Sequence, residues 1–149
     1  MGSEAIDLIL VGLDESNAAR KAFTFALAIA ERYDADIYAL EVRPEETVDA
    51  ISRGELDPAV AARRSEAILD EVAAEGAAAG VTIRTGTAIG YSKTRKLTHP
   101  GSVVLDIAES IEASMIVLPR EREPVAEWGT LGKAAQYALQ YATQPVIAV

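Results

Sequence analysis

The sequence predicts an α/β fold: one domain with an open five-stranded parallel sheet and helices on both faces. Three observations predict it. Short, β-branched apolar runs alternate with longer amphipathic runs from one end of the chain to the other. No Gly/Ser-rich linker or internal repeat interrupts that alternation. The 149 residues, 50% of them hydrophobic, match one domain with a substantial buried core.

Ala5 to Leu13 is short and apolar and ends at Asp14-Glu15-Ser16-Asn17, a turn-like cluster, so it reads as a strand buried on both faces. Ala18 to Tyr33 places Ala22, Phe23, Ala26, Leu27 and Ala30 on one helical face, with Ser16 or Asn17 as N-cap. Asp36 to Val42 is a second strand, closed by Pro44. Glu45 to Asp57 reads as a loop or a short irregular helix. Pro58 to Ala79 is a long Ala-rich helix with Ile68, Leu69 and Val72 inward, stopped by Gly80. Val81 to Ile89 is a third strand, and Gly90 to Pro100 a polar, basic connection. Gly101 to Glu112 carries Val104, Ile107, Ala108 and Ile111 at helical spacing. Ser114 to Leu118 is a fourth strand, Pro119 to Glu127 a charged loop, Trp128 to Ala142 mostly helix, and Pro145 to Val149 a fifth strand.

Composition narrows the chemistry. There is no Cys, which removes disulfides, thiolate metal sites and cysteine nucleophiles, and one His, His99, which removes a His-rich metal site. The net charge is −9, and residues 1–79 hold 17 acids and 7 bases against 6 and 7 in residues 80–149. A negative surface argues against general nucleic-acid binding. Between Glu75 and Asp106 no acid occurs, while Arg84, Lys93, Arg95, Lys96 and His99 do, a local balance suited to a small anion. No apolar run is long enough to span a bilayer, and Met1-Gly2-Ser3-Glu4 lacks the basic start of a secretory signal, so a cytoplasmic protein is expected.

In an open α/β sheet, ligands bind beyond the carboxyl ends of the strands, where strand order reverses. Residues 14–17, 42–46, 90–100 and 119–132 are expected at that edge. No Gly-x-Gly-x-x-Gly follows the first strand. Gly132-Lys133 is followed by Ala134, and Glu127 stands where a Walker loop needs Gly, so that loop is absent. Gly129-Thr130-Leu131-Gly132 opens the last helix with small residues, which leave backbone amides open to an anion; the same residues also serve as an ordinary helix entry capped by Thr130.

Three stretches together resemble the universal stress protein family. The first is Ile9-Leu10-Val11-Gly12-Leu13-Asp14-Glu15-Ser16 and the Ala-rich helix behind it. The second runs from Ile107-Ala108-Glu109 to Ser114-Met115-Ile116-Val117-Leu118. The third is Leu131-Gly132-Lys133-Ala134-Ala135-Gln136-Tyr137-Ala138-Leu139, then Ala142 and Pro145-Val146-Ile147-Ala148-Val149. The resemblance covers essentially the whole chain. It implies the strand order 3-2-1-4-5 of the adenine-nucleotide α-hydrolase-like group and a small regulatory, non-enzymatic stress-response protein.

The resemblance also implies where a nucleotide would lie. Asp14 matches the strand-end Asp on the ribose or adenine side of the family's ligand, and Val42 the second-strand Val whose backbone meets adenine. The residues themselves also allow Asp14 to turn the chain and cap the helix, and Val42 to pack in the core. ATP-binding members carry Gly-x2-Gly-x9-Gly-Ser after the fourth strand. Counting back from Gly132, those positions hold Pro119, Arg122, Gly132 and Lys133. Pro119 offers no N–H and a fixed φ, so the usual glycine cradle for ATP is broken. Lys93, Arg95, Arg120, Arg122, Thr130 and Lys133 then become candidates to hold ATP, AMP or phosphate through side chains. A self-neutralised solvated loop at Arg120-Glu121-Arg122-Glu123 is the alternative.

The apolar terminal strand is an edge strand by topology, and such edges invite pairing. Family members commonly dimerise through it. A homodimer with Val146, Ile147 and Val149 at the contact is therefore expected. The competing readings are a nucleotide-hydrolysing enzyme of the same α/β group and an accessory regulator of a membrane transporter. The enzyme reading lacks a Ser-Gly-Gly-x-Asp-Ser loop and a His-x-x-His pair.

Overall fold

The computed structural model describes residues 5–43, 45–89, 100–120 and 131–149. Five strands form one parallel sheet in the order β3-β2-β1-β4-β5. They are β1 (Leu8–Leu13), β2 (Asp36–Arg43), β3 (Ile83–Ile89), β4 (Met115–Leu118) and β5 (Val146–Ala148). The helices are α1 (Asn17–Tyr33), α2 (Glu45–Ser52), α3 (Pro58–Ala79), α4 (Pro100–Ser110) and α5 (Leu131–Tyr141). The expected fold class and strand order are thus observed. The stretch Glu45 to Asp57 takes its helical alternative over α2 and then loops. The basic connection before Pro100 and the charged loop after Arg120 lie outside the described residues.

The sheet divides the core in two. Ile9, Val11 and Leu13 of β1, Ile37 and Ala39 of β2 and Val117 of β4 face α1 and α3, where Phe23, Ala26 and Val72 meet them. Leu10, Leu40, Val42, Ile116 and Leu118 face the other way, toward Val104 and Ala108 of α4 and Ala134, Ala135 and Ala138 of α5. Successive side chains on a strand point to opposite faces. With a helical layer on each face, every residue of β1 is buried.

The helix ends follow from local chemistry. The Ser16 hydroxyl accepts from the Ala19 amide at 3.1 Å and caps α1. Asp34 ends α1 in the left-handed region at φ 54°, its N–H on the Ala30 carbonyl. Asp57 caps α3 with Pro58 in the first turn, and Gly80 closes it at φ 74°. At the sheet's amino edge the Ser114 hydroxyl accepts from the amides of Asp7 and Leu8 and donates to the Leu8 carbonyl, tying the entries of β1 and β4 together.

Three described glycines, Gly76, Gly86 and Gly101, are set by close approach. A Cβ at Gly101 of α4 would lie 2.4 Å from Tyr137 Cβ of α5, and one at Gly86 of β3 would lie 2.2 Å from Tyr38 Oη. Tyr137 Cβ is fixed to its backbone, whereas the far end of Tyr38 can swing. Urea denaturation should therefore show Gly101→Ala destabilising the protein by about 1–3 kcal/mol, the range for overpacking, and Gly86→Ala by less. Equal losses at both positions would contradict this account of the α4–α5 approach.

Candidate functional site

The carboxyl ends of β1 and β2 open onto a cleft. Its floor is formed by Asp14, Glu41, Val42 and Arg43, and Ser65 of α3 closes one side. The cavity of about 30 Å³ is roomy enough for water.

Asp14 is 5% exposed. Its Oδ1 accepts the Ser16 amide at 2.8 Å, so the carboxylate turns the chain from β1 into α1. It sits beside a helix N-terminus, where the helix dipole favours negative charge. The turn-forming reading of Asp14 is thus observed, and the same residue lines the cleft. Val42 likewise packs in the core on the α4–α5 side and lines the cleft.

Sequence reasoning passed over the polar cluster beside them. Glu41 is 5% exposed and Ser65 7%. The Ser65 hydroxyl donates to Glu41 Oε2 at 2.9 Å, and Thr87 Oγ1 donates to Oε1 at 3.4 Å. Arg43 Nε donates to Ser65 Oγ at 3.0 Å, with Nη2 on the same oxygen, and lies 3.6 Å from Glu41 Oε1. The backbone arithmetic explains the meeting. Glu41 and Arg43 are two residues apart and share a face of β2. Thr87 stands opposite Glu41 in the β2–β3 register, and α3 brings in Ser65. A buried carboxylate needs such partners. Only the alternation of β2, which puts Glu41 on the same face as Ile37 and Ala39, hinted at its burial.

The remaining candidates fall in four groups. Arg120 is exposed just past β4, at the same edge. Its backbone N–H donates to the Val149 carbonyl at 2.7 Å, and the Val149 N–H donates to the Leu118 carbonyl at 2.9 Å. Pro119, before it, is buried. Gly132 and Lys133 lie in the first turn of α5. Lys93, Arg95, Lys96, His99, Arg122 and Thr130 fall outside the described residues. Val146, Ile147 and Val149 are each half-buried. Val146 packs toward the α5 side, and Ile147 and Val149 toward the α1 side. Among the described residues, no group of three or more His, Asp or Glu is arranged to hold a metal ion, and no helix is long and apolar enough to cross a membrane.

Removing the Ser65 hydroxyl takes a donor from a buried carboxylate, and leaving a buried polar group short of a partner costs about 1–3 kcal/mol. Ser65→Ala is expected to lower the urea-derived stability by about 1–2 kcal/mol, because alanine returns part of the loss through helix propensity. Unchanged stability would mean that Thr87 and Arg43 suffice for Glu41.

Comparison with known proteins agrees with this architecture. The chain is similar to the universal stress protein UspA from Lactobacillus plantarum, at 24% identity and a TM-score of 0.69 over 97% of this chain and 98% of that one. It is also similar to a universal stress protein in complex with cAMP, at 20% identity and a TM-score of 0.67 over 97% of both chains. A third likeness is to the universal stress protein from Archaeoglobus fulgidus in complex with dAMP, at 17% identity and a TM-score of 0.63 over 97% of this chain and 98% of that one. No curated protein matches the chain. The family profile described as "Universal stress protein family" matches residues 6–149, nearly the full length, and the chain belongs to that family.

Proposed function

We propose that this protein is a dimeric, ligand-sensing regulator that holds an adenosine monophosphate or another small phosphate at the carboxyl edge of its sheet, and that it works by binding rather than by turnover. The observation that carries the reading is the exit of β4. Pro119 has no N–H, and the Arg120 N–H is engaged by the Val149 carbonyl. The first two residues after the strand thus have no main-chain donor to spare for a triphosphate. Charge has to come from side chains, and Arg120, Arg122 and Lys133 supply it in sequence, with Lys93 on the preceding connection. Asp14 and Val42 line the cleft at the nucleoside end. Two structurally similar universal stress proteins hold cAMP and dAMP, each with one phosphate.

The dimer rests on β5. Pro145, Ile147 and Val149 turn their ladder groups toward β4, shown by the bonds from Ile116 to Pro145 and between Val149, Leu118 and Arg120. In a parallel ladder the alternate residues, Val146 and Ala148, then present their amides and carbonyls to the open side. Exposed apolar side chains flank that edge on both faces of the sheet: Phe25 of α1 forms a surface with Val149, and Leu139 projects from the flank of α5 opposite the tyrosines.

Calorimetry with AMP, cAMP, ATP and inorganic phosphate tests the site. AMP or cAMP is expected to bind at least as tightly as ATP, and Arg120→Ala with Lys133→Ala is expected to weaken phosphate-bearing ligands by about tenfold, the loss of one to two charge-assisted contacts. No heat at millimolar ligand removes the proposal, and steady nucleotide hydrolysis would favour the enzyme reading instead. Light scattering tests the dimer, with twice the chain mass expected. Ala148→Pro removes an outward N–H without touching the β4 ladder and should leave a folded monomer. A wild-type monomer at high concentration would overturn the dimer.

A further inference from the structure

On the outer surface of the α4–α5 layer, away from the cleft, lies a groove of about 250 Å³. Asp106 and Glu109 of α4 line one side, Tyr137 and Tyr141 of α5 the other, and Gln144 is also in its wall. That volume falls below the roughly 300–1,000 Å³ of sites that enclose a drug-sized ligand. It admits one side chain.

Its chemistry is one-sided. Tyr137 and Tyr141, four residues apart, pair with ring centroids 4.7 Å apart and planes tilted by 48°. Tyr141 is 57% exposed. Asp106 and Glu109 are both exposed, and neither has an ion-pair partner among the described residues. Among the described residues, no Lys, Arg or His lines the groove. An anionic group would be repelled, and a purely apolar one would leave two carboxylates at its edge. A cation is attracted by the carboxylates and by the negative faces of the rings. Guanidinium fits better than ammonium, since its plane can lie on a ring while its N–H groups reach a carboxylate.

We propose that the α4–α5 groove is a docking site for an arginine side chain presented by a partner protein. The groove's charge complementarity selects the arginine: two carboxylates and two ring faces suit a planar cation. The site is independent of the carboxyl-edge cleft and of any ligand bound there.

Heteronuclear NMR of the full chain titrated with N-acetyl-arginine methylamide tests this, with the lysine and citrulline analogues as controls. The arginine probe should give saturable shifts in the amides of residues 102–109 and 137–144, with millimolar affinity. The lysine probe should bind about two- to fivefold more weakly, and the isosteric but neutral citrulline probe should give no saturable shift. Asp106→Asn with Glu109→Gln should weaken arginine binding by about fivefold, and Tyr141→Leu by about two- to fivefold. Glu66→Gln with Asp70→Asn, exposed acids of α3, should leave it unchanged. Equal shifts with citrulline, shifts confined to α3, or binding untouched in the Asp106/Glu109 variant would each overturn the proposal. Concentration-dependent shifts of the groove amides without a probe would assign it to a second copy of this chain, and would overturn it too.

Discussion

The burial of β1 on both faces is the constraint from which the rest of the structure follows. A strand in the middle of a parallel sheet, with helices above and below, has no solvent-facing position. From Leu8 to Leu13 no polar side chain is present, and the strand's first carboxylate, Asp14, waits until the ladder ends. Function in such a fold is pushed to the strand ends because the interior cannot host it. All five strands end at the carboxyl edge, and Asp14, Val42 and Arg120 stand at the ends of β1, β2 and β4.

Glu41 is the instructive exception. It is a carboxylate inside the strand region, on the face otherwise given to Ile37 and Ala39. The fold tolerates it because Ser65, Thr87 and Arg43 converge on it from α3, β3 and β2. Removing one partner of a buried charge is far more damaging than replacing the whole group by apolar residues. The cluster therefore fixes how the end of β2 meets α3. It holds the Arg43 guanidinium at the cleft floor, where an untethered side chain would swing into solvent.

The fold was legible in the sequence because its signals are local. β-branched runs, Ala-rich helical spacing, the Ser16 cap and the Gly80 stop can each be read within a few residues. Asp14 and Val42 were singled out by their place at strand ends and by resemblance, and both line one cleft. The Glu41 cluster was not found, because Ser65 lies 24 residues away and Thr87 46. Near Glu41 in sequence, only its alternation with Ile37 and Ala39 hints at burial, and that names none of its partners. The tyrosine groove was hidden for the same reason. Tyr137 and Tyr141 show helical spacing, but the acids opposite them come from another helix.

The hydrogen bond from Arg120 to Val149 joins two parts of the molecule that lie far apart in sequence. It ties the beginning of the segment after β4 to the rim of the sheet. The segment after β4 therefore leaves the sheet from a point fixed by Val149 beside β5 as well as by β4 itself.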